Sequence, residues 1–526
     1  MRWRLLIAAL IAGLGLTLAV VRALPAATVS GVVLDEKSQP VEGASVRVKA
    51  TTNATTTGPD GRFTLAGIAS GITATITAWK AEYYIAQTEV APPASGVTFQ
   101  LNLYPTTDNP DYPWIYPHRA DSPPEVDYGC DTCHASIIVA QWESNAHSGA
   151  ATNPRFFSMY NGTDTTGRPG VSPGYKLDFP NTAGNCANCH APGAAANKPF
   201  TADMNELSIV ETNGVFCDVC HKTGGVYLDP ATGLPYPNVP GVMSMDLRRP
   251  PDGQQMFFGP LDDIPEPDTF LPLIDQGQFC AACHNFSFWG TPIYQSFAEW
   301  LASPYPSQGV HCQTCHMPPD GVTTNFVPGH GGVERDPQTI PSHFQYGTRY
   351  PEFLQSAVDM TVQASVIGGR IRATVTITNT GAGHHIPTDQ PARHLILVVR
   401  ATDSGGAELT QVAGESVPAW CGVGEDADDY AGRPGKAFAK VLRSLNTGQE
   451  PTAAYWSPTI IVSDNRIPAL GSDTSVYEFA APGAGMVNVE ATLIFRRAFK
   501  SLMEAKRWDT PDIVIGQAAG SVDSNQ

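Results

Sequence analysis

Alternating apolar and polar positions mark two stretches of the chain. Between residues 28 and 104, Val46 and Val48 fall on one side of a strand, and Phe63 and Leu65 do so after a Pro-Asp-Gly turn. From about residue 358 the alternation returns, with one-sided apolar sets at Ile371, Ala373, Val375 and Ile377, and at Val487, Val489, Ala491, Leu493 and Phe495. A period of two is typical of half-buried strands. The pattern predicts a β-sandwich near each end, the C-terminal one immunoglobulin-like.

The part between the two sandwiches has a different character. Residues 105–129 are rich in Pro and Asp and are interpreted as a linker, and the chain as a whole contains 45 Pro and 49 Gly. One stretch, HASIIVAQWESNAH from His134 to His147, can form a helix. Residues 130–350 are therefore predicted to be a loop-rich, mainly helical domain, followed by the sandwich at 351–526.

The N-terminus has the pattern of an export signal. Arg2 and Arg4 precede an apolar run from Leu5 to Val21, and small residues follow. Cleavage after Ala23 or Ala26 is one outcome, and retention as an N-terminal anchor over residues 1–26 is the other, because the run is nearly long enough to span a membrane.

Ten of the eleven cysteines lie in five Cys-x-x-Cys-His motifs. The motifs are Cys130, Cys133, His134; Cys186, Cys189, His190; Cys217, Cys220, His221; Cys280, Cys283, His284; and Cys312, Cys315, His316. This spacing is typical of covalent haem c attachment, in which two thiols bind the porphyrin and the following imidazole ligates the iron. Five covalent haems c are predicted, with the five histidines as proximal ligands.

Two other uses of cysteine were weighed. Zinc sites take four ligands from two separated pairs and need no His after every second Cys. Disulfide frameworks occur in short secreted chains with varied spacings. Five identical motifs fit neither use, and Cys421, which lies outside them, is interpreted as a buried or free thiol, with an intermolecular disulfide as the alternative.

The motifs also suggest an internal duplication. The third and fifth motifs both follow a Gly-Val step, in GVFCDVCHK and GVHCQTCHM, and each comes 26 or 27 residues after the motif before it. We therefore expect motifs two and three, and motifs four and five, to be two versions of one two-haem unit. A second echo places Trp142 five residues before His147 and Trp300 five residues before Tyr305.

The net charge of the chain argues against binding to nucleic acids. The formal net charge is −18 over 526 residues. Nucleic-acid binding requires clustered Lys and Arg, so this class is excluded.

Several sequence words resemble known families. VSGVVLD, VEGASVRVKA and TTTGPDGRFTLAGI in residues 28–104 resemble the carboxypeptidase regulatory-like domain, which implies a structural or adhesive module. YGCDTCHASIIVAQWESNAH, GVFCDVCHK, GVHCQTCHMP and NTGAGHHIPTDQPARHLILVV resemble multihaem c-type cytochromes related to the tetrahaem cytochrome of ammonia oxidisers. The second resemblance implies closely packed, mostly bis-His haems and electron transfer. YAGRPGKAFAKVL and SDNRIPALGS resemble the C-terminal domain of such cytochromes.

Eight histidines remain for the distal iron positions: His118, His147, His311, His330, His343, His384, His385 and His394. The resemblance implies distal roles for His147, His330, His343 and His384, and His118 could reach back from the linker. His311 could ligate a neighbouring haem, His385 could replace His384, and His394 is more typical of a packed or surface residue. The chain departs from the family in having no His between His221 and His284, and in carrying Asp389 where Gly is usual.

Two function classes follow. The first is an exported electron-transfer protein, periplasmic or at the cell surface, whose partners are redox proteins such as other cytochromes or a membrane quinone-linked complex, with a homo-oligomer or filament as a further expectation. The second is a multihaem oxidoreductase with one open iron for a small nitrogen or oxygen compound. The surplus of histidines favours the first.

Overall fold

The structure is a computed structural model that describes residues 25–118 and 129–525. Most of the predicted export signal and part of the predicted linker lie outside the described residues. Within them, no helix is both long enough and apolar enough to cross a membrane. The chain forms two compact units, one of residues 25–104 with 262–266, and one of the other described residues.

The first unit is a sandwich of seven strands. They are β1 (Ala26–Asp35), β2 (Ser45–Val48), β3 (Ala54–Thr56), β4 (Arg62–Ala69), β5 (Ala74–Trp79), β6 (Ala86–Val90) and β7 (Ala94–Leu101). One sheet has the order β4-β1-β7 and the other β3-β2-β5-β6. Val46, Phe63 and Leu65 are buried between them, as the alternation predicts. The predicted N-terminal β-sandwich is confirmed.

The second unit begins with a core of very short elements. Its helices are α1 (Asp131–His134), α2 (Ala140–Ser144), α3 (Pro154–Asn161), α4 (Tyr175–Asp178), α5 (Ala187–His190), α6 (Pro192–Ala195), α7 (Cys217–His221), α8 (Ala281–His284), α9 (Ser296–Leu301), α10 (Cys312–His316) and α11 (Pro351–Gln355). Its strands are β8 (Thr223–Val226), β9 (Met245–Leu247), β10 (Phe257–Gly259), β11 (Asp268–Phe270), β12 (Phe286–Phe288) and β13 (Thr291–Tyr294). Single 3-10 turns lie at Glu211–Asn213, Gly241–Ser244, Pro272–Asp275, Gly277–Cys280, Pro306–Gln308 and Pro337–Thr339.

The one helix that the sequence predicts in this core is present. A π-helical stretch, Ala135–Val139, joins α1 to α2, so the chain is helical from Asp131 to Ser144. Trp142 on this segment is buried. His147 follows just beyond the end of the helix.

A second sandwich completes this unit. Its strands are β14 (Val358–Ile367), β15 (Arg370–Asn379), β16 (His394–Thr402), β17 (Gln411–Ala413), β18 (Gly435–Phe438), β19 (Lys440–Ser444), β20 (Thr459–Asp464), β21 (Ser472–Ala480), β22 (Met486–Arg496) and β23 (Ile513–Asp523), with a 3-10 turn at Ala419–Cys421 and helix α12 (Lys500–Lys506). The two main sheets have the orders β14-β15-β21-β17 and β18-β16-β22-β23. The alternating residues of β15 and β22 are buried between them, as the pattern predicts. Cys421 is a buried free thiol.

Polar contacts tie this sandwich to the core. Trp456 donates to the Asp178 carboxylate at 2.7 Å, and the Lys440 ammonium donates to the Pro292 and Ile293 carbonyls at 2.9 and 3.2 Å. The core and the sandwich therefore pack as one body, and the predicted boundary near residue 350 does not separate two compact units.

Candidate haem sites

Each Cys-x-x-Cys-His motif forms a turn of helix that ends at its histidine. In the first two motifs the His134 and His190 amides donate to the carbonyl of the first cysteine at 3.0 Å. Residues three apart share one side of a helix, so both thiols face the same way. None of the eleven cysteines is joined to another by a disulfide. Among the described residues, no group of three or more Cys, His, Asp or Glu is arranged to hold a metal ion by itself, so the zinc alternative finds no donor set there.

Every proximal histidine has a hydrogen-bond acceptor at Nδ1. For four of them it is a main-chain carbonyl: Phe326 for His134 (3.2 Å), Ala150 for His190 (3.0 Å), Phe258 for His221 (2.6 Å) and Tyr346 for His316 (2.5 Å). For His284 it is the Asp389 carboxylate, at 3.3 Å. An acceptor at Nδ1 fixes the tautomer that leaves Nε2 free to bind metal. The arrangement is the one that axial ligation requires.

Two proximal histidines face a second imidazole. The ring centroids of His147 and His284 are 6.3 Å apart, and so are those of His316 and His384. Two imidazoles that ligate one metal from opposite sides, with bonds of about 2 Å and a centroid about 1.2 Å beyond each nitrogen, have centroids roughly 6.4 Å apart. The spacing in both pairs therefore fits a bis-His iron.

Burial keeps the His147 and His316 imidazoles in the neutral form that ligates metal, whereas for His284 the hydrogen bond and charge of Asp389 outweigh burial and raise the pKa to about 9. Burial lowers the pKa of His147 to about 4, with the nearby His284 adding to the effect, and it lowers the pKa of His316 to about 4. His147 is also oriented, because its Nδ1 hydrogen-bonds the Gln345 side chain. Neutral imidazole is the ligating species, so the environment favours binding.

Two more candidates lie near the first and third motifs. Burial, and then the charges of His221 and His134, lower the pKa of His343 to about 3. His330 lies close enough to His134 to contribute to the lowered pKa of that residue, after burial. His343 is thus placed near the third and first motifs, and His330 near the first.

The other four histidines are not paired with a motif histidine by any ring contact among the described residues. His118 contacts the Asp131 and Glu143 carboxylates at 2.8 and 2.6 Å, so both of its ring nitrogens have carboxylate partners, and its role as an iron ligand stays a prediction. The remaining three have the following contacts: His311 accepts from the Gly277 amide at 3.3 Å, His385 lies 3.7 Å from Glu299, and His394 is buried against Trp420 and Phe499. Four histidines thus lie near a motif histidine in the described structure, namely His147, His330, His343 and His384, and the distal roles of the other four stay predictions.

The cysteines show which motifs are neighbours. The Cys130 and Cys217 thiols lie close enough for Cys130 to raise the pKa of Cys217, and Cys312 does the same to Cys280. The first motif thus contacts the third, and the fourth contacts the fifth. A further thiol contact joins Cys189 to Cys283, and so motif two to motif four.

The duplication is present, but its pairing differs from the expected one. Trp142 donates to the Val215 carbonyl at 2.8 Å, and Trp300 donates to the Val310 carbonyl at 2.9 Å. The Val215 amide donates to the His147 carbonyl, and the Val310 amide to the Tyr305 carbonyl, both at 3.1 Å. The repeated unit is therefore motifs one and three in the first copy and motifs four and five in the second. Motif two is an insertion within the first copy, which sequence spacing alone conceals.

A group of arginines lies in the same unit: Arg155, Arg349, Arg393 and Arg497. Burial, and then the charges of the other three, lower the pKa of Arg497 to about 10. The side-chain hydrogen bonds of these arginines go to hydroxyls and main-chain carbonyls. Within the described residues, none of the four forms an ion pair. The charge of Arg393 helps to lower the pKa of Asp389, but the Asp389 carboxylate accepts its hydrogen bond from His284 rather than from Arg393. Unpaired guanidinium groups beside the motifs fit the carboxylates that each haem carries.

Comparisons with known proteins agree with this geometry. Residues 129–222 match the family of cytochrome c554 and c-prime. Residues 28–103 match the carboxypeptidase regulatory-like domain. Both resemblances expected from the sequence are confirmed. No curated protein matches the chain.

Among solved structures, the fold is similar to that of a penta-heme cytochrome c552 from Thermochromatium tepidum. The TM-score is 0.52 at 22% identity, and the match covers 75% of this chain and 97% of that one. A cohesin–X-dockerin complex from Acetivibrio cellulolyticus also matches, with a TM-score of 0.14 at 22% identity, over 15% of this chain and 58% of that one. The first of these shows a shared fold over three quarters of this chain.

Three features of the site were missed by sequence reasoning. They are the partner of each distal histidine, the Gln345 contact to His147, and the arginine group. The first two depend on residues far apart in the chain, and isolated arginines carry no local signal. Asp389 did carry a signal in the sequence, because it stands where the resemblance to multihaem cytochromes implies Gly.

Proposed function

We propose that this protein is an exported pentahaem c-type cytochrome that transfers electrons. The observation that carries the proposal is the pair of 6.3 Å imidazole spacings, His147 with His284 and His316 with His384, each formed by a proximal motif histidine and a remote one. When bound, haem iron supplies the chemistry by cycling between Fe(III) and Fe(II). Two imidazoles on one iron leave no position for a substrate, which suits a carrier of electrons.

The chain's own residues would hold and insulate the haems. The ten motif cysteines supply the thioether bonds, and the carbonyls at Nδ1 hold each imidazole in place. We assign His330 to the first motif, His343 to the third, His147 to the fourth and His384 to the fifth. The proximity of motif cysteines supports haems that would lie close together in the pairs one with three, four with five, and two with four.

A second candidate function is supported by one specific observation. His190 is in neither imidazole pair, and its ring stacks on Phe156 with centroids 4.1 Å apart. Two half-buried tyrosines, Tyr294 and Tyr455, share a hydrogen bond of 2.8 Å, and burial and the charge of Cys189 raise the pKa of both. An iron at the second motif with one open position beside phenol hydroxyls would suit a multihaem oxidoreductase acting on a small nitrogen or oxygen compound.

Location and partners follow from the proposal. Haem c attachment and the N-terminal signal pattern support a periplasmic or extracellular protein, either released or anchored by residues 1–26. Its partners would then be other redox proteins, such as cytochromes or a quinone-linked membrane complex, with a homo-oligomer or filament as a further proposal. We also infer that the C-terminal sandwich is immunoglobulin-like, on the basis of its two packed four-stranded sheets.

The number of haems is tested by mass. Intact mass spectrometry of the purified protein should give the mature chain plus five haems, and peptide mapping should find one on each motif. A mass with fewer haems would show that at least one motif is not used.

The two candidate functions are separated by ligand binding. Titration of the reduced protein with carbon monoxide should leave all spectra unchanged if every iron has two protein ligands. Stoichiometric binding to one haem, abolished when Cys186 and Cys189 are replaced by Ala, would favour the oxidoreductase and place the open iron at the second motif.

A further inference from the structure

One of the five proximal histidines has an acceptor of a different kind. His134, His190, His221 and His316 each hydrogen-bond a neutral carbonyl through Nδ1. His284 instead faces Oδ2 of Asp389 at 3.3 Å. A carboxylate carries a full negative charge, whereas a carbonyl carries only a dipole. The fourth motif therefore differs from the others in the electrostatics of its proximal ligand.

Asp389 is held firmly in this position. Its Oδ1 accepts the Gln295 and Ser296 amides at 3.1 and 3.0 Å, and its Oδ2 also accepts the Ser296 hydroxyl at 3.1 Å. The backbone at Asp389 has a φ of 59°, in the left-handed region where Asp is one of the few residues tolerated. The side chain is only 12% exposed, so water screens its charge weakly. These contacts keep the carboxylate directed at His284.

We propose that Asp389 tunes the haem bound by Cys280 and Cys283, making its iron harder to reduce than a carbonyl acceptor would. The inference rests on the proposed function, since it requires a haem at this motif. A carboxylate hydrogen-bonded to Nδ1 draws the proton of the imidazole toward itself and makes Nε2 a stronger donor. A stronger, more negative donor stabilises Fe(III) relative to Fe(II), which lowers the reduction potential.

The place of the fourth motif gives this effect a consequence. Cys280 contacts Cys312 of the fifth motif, and Cys283 contacts Cys189 of the second. The fourth haem therefore lies between two others in the array. Electrons occupy the haems of higher potential, so they would spend most of their time on the neighbours of an interior haem of lowered potential and would only pass through that haem. Asp389 would thus set how freely electrons cross from the fifth haem toward the rest.

The test is a redox titration of the fully loaded Asp389→Asn protein. Asn keeps an oxygen acceptor and removes the charge, so it makes the fourth motif resemble the other four. Loss of such a contact typically changes metal affinity by about 10-fold or more. A tenfold change in the balance of two oxidation states corresponds to roughly 59 mV for one electron. One of the midpoint potentials should rise by about this amount while the low-spin spectrum is kept.

Two variants sharpen the result. Ser296→Ala removes one donor from Oδ2 and leaves more of the charge to His284, so the same potential should fall. Asp403→Asn, in a turn of the C-terminal sandwich where the carboxylate caps the Gly405 and Ala407 amides, should leave every potential unchanged. If Asp389→Asn fails to load haem, the Ser296→Ala shift still tests the inference.

The possible outcomes are distinct. Five attached haems with an unchanged set of potentials in both Asp389→Asn and Ser296→Ala would overturn this inference alone. If the peptide bearing Cys280 and Cys283 carries no haem in the wild-type protein, the proposed function is overturned, and this inference with it.

Discussion

A buried ion triad joins the haem core to the C-terminal sandwich, and breaking it should loosen the fifth haem. The Arg466 guanidinium donates to Glu299 at 2.7 Å and to both oxygens of Asp464 at 2.8 and 2.7 Å. The side chains of Arg466 and Glu299 are only 3% and 5% exposed. The second oxygen of Glu299 accepts the Thr388 hydroxyl and the His385 amide at 2.6 and 3.2 Å. Glu299 on α9 therefore fastens the loop that carries His384.

The size of the effect follows from burial. Removing one partner of a buried ion pair costs about 3–5 kcal/mol, because the other charge is left uncompensated. In Glu299→Ala, Arg466 keeps Asp464, while the Thr388 hydroxyl and the His385 amide lose an acceptor, at roughly 1–3 kcal/mol each where they stay dry. These terms share one site and do not add, and Arg466 stays paired with Asp464, so we expect the free energy of unfolding to fall by about 3 kcal/mol, the lower end of the range for a buried pair.

The assay pairs denaturation with spectroscopy. Urea unfolding of the loaded protein followed by circular dichroism gives the stability, and the visible spectrum reports the spin state of each haem. Because the His384 loop is released, Glu299→Ala should also show one partly high-spin haem. The matched control is Glu408→Ala, which breaks the exposed Arg400–Glu408 pair, whose side chains are 50% and 66% exposed, and should cost under about 1 kcal/mol. Equal losses in the two variants would refute the argument that the triad holds the loop.

Three further predictions concern single contacts. His384→Ala should convert one low-spin haem to high-spin by electron paramagnetic resonance, whereas His118→Ala, whose ring binds only carboxylates, should not; identical spectra would contradict the assignment. Trp300→Phe removes the donor to the Val310 carbonyl and should lower the free energy of unfolding by about 1–2 kcal/mol in denaturant titration, and no loss would argue against the shared hydrogen bond of the two copies. Burial raises the pKa of Asp464, but the hydrogen bonds and charge of Arg466 lower it by more than that, so the net pKa lies below its ordinary value. Its contribution to stability should therefore be full above about pH 4 and be lost as pH falls through the depressed pKa, so acid unfolding of Asp464→Asn should show a weaker pH dependence.

The sequence predicted the parts of the structure that are local. Cysteines three apart with the histidine next in line form one helical turn wherever they occur, so all five motifs could be located without a fold. Alternation likewise predicted the buried faces of β15 and β22, because a strand has a period of two whatever it packs against. His147 and His384 were named as candidates, but their partners were not, since nothing local states which motif a remote loop will reach.

The error in the duplication has a similar cause. Motifs two and three lie 26 residues apart, and so look like a unit, but their closeness in sequence reflects an insertion. The Trp142 and Trp300 hydrogen bonds, which identify the equivalent positions, join residues that are 73 and 10 apart. Only the fold brings the first pair together.

The loop from His384 to Asp389 explains why the sandwich and the core form one body. It precedes β16, and so belongs to the sandwich by sequence, yet it places His384 opposite His316 and Asp389 beside His284. His147, in the first copy of the repeat, faces His284 in the second copy. The second copy has Tyr305 at the position equivalent to His147, so it supplies no imidazole to the first copy. The fourth haem would thus depend on three parts of the chain, and the fifth on two. Under the proposed function, haem ligation across such distances would stabilise the native state by mass action, because the ligand sets exist only when the parts are assembled. The sandwich would then be a structural part of the redox site rather than an appended domain.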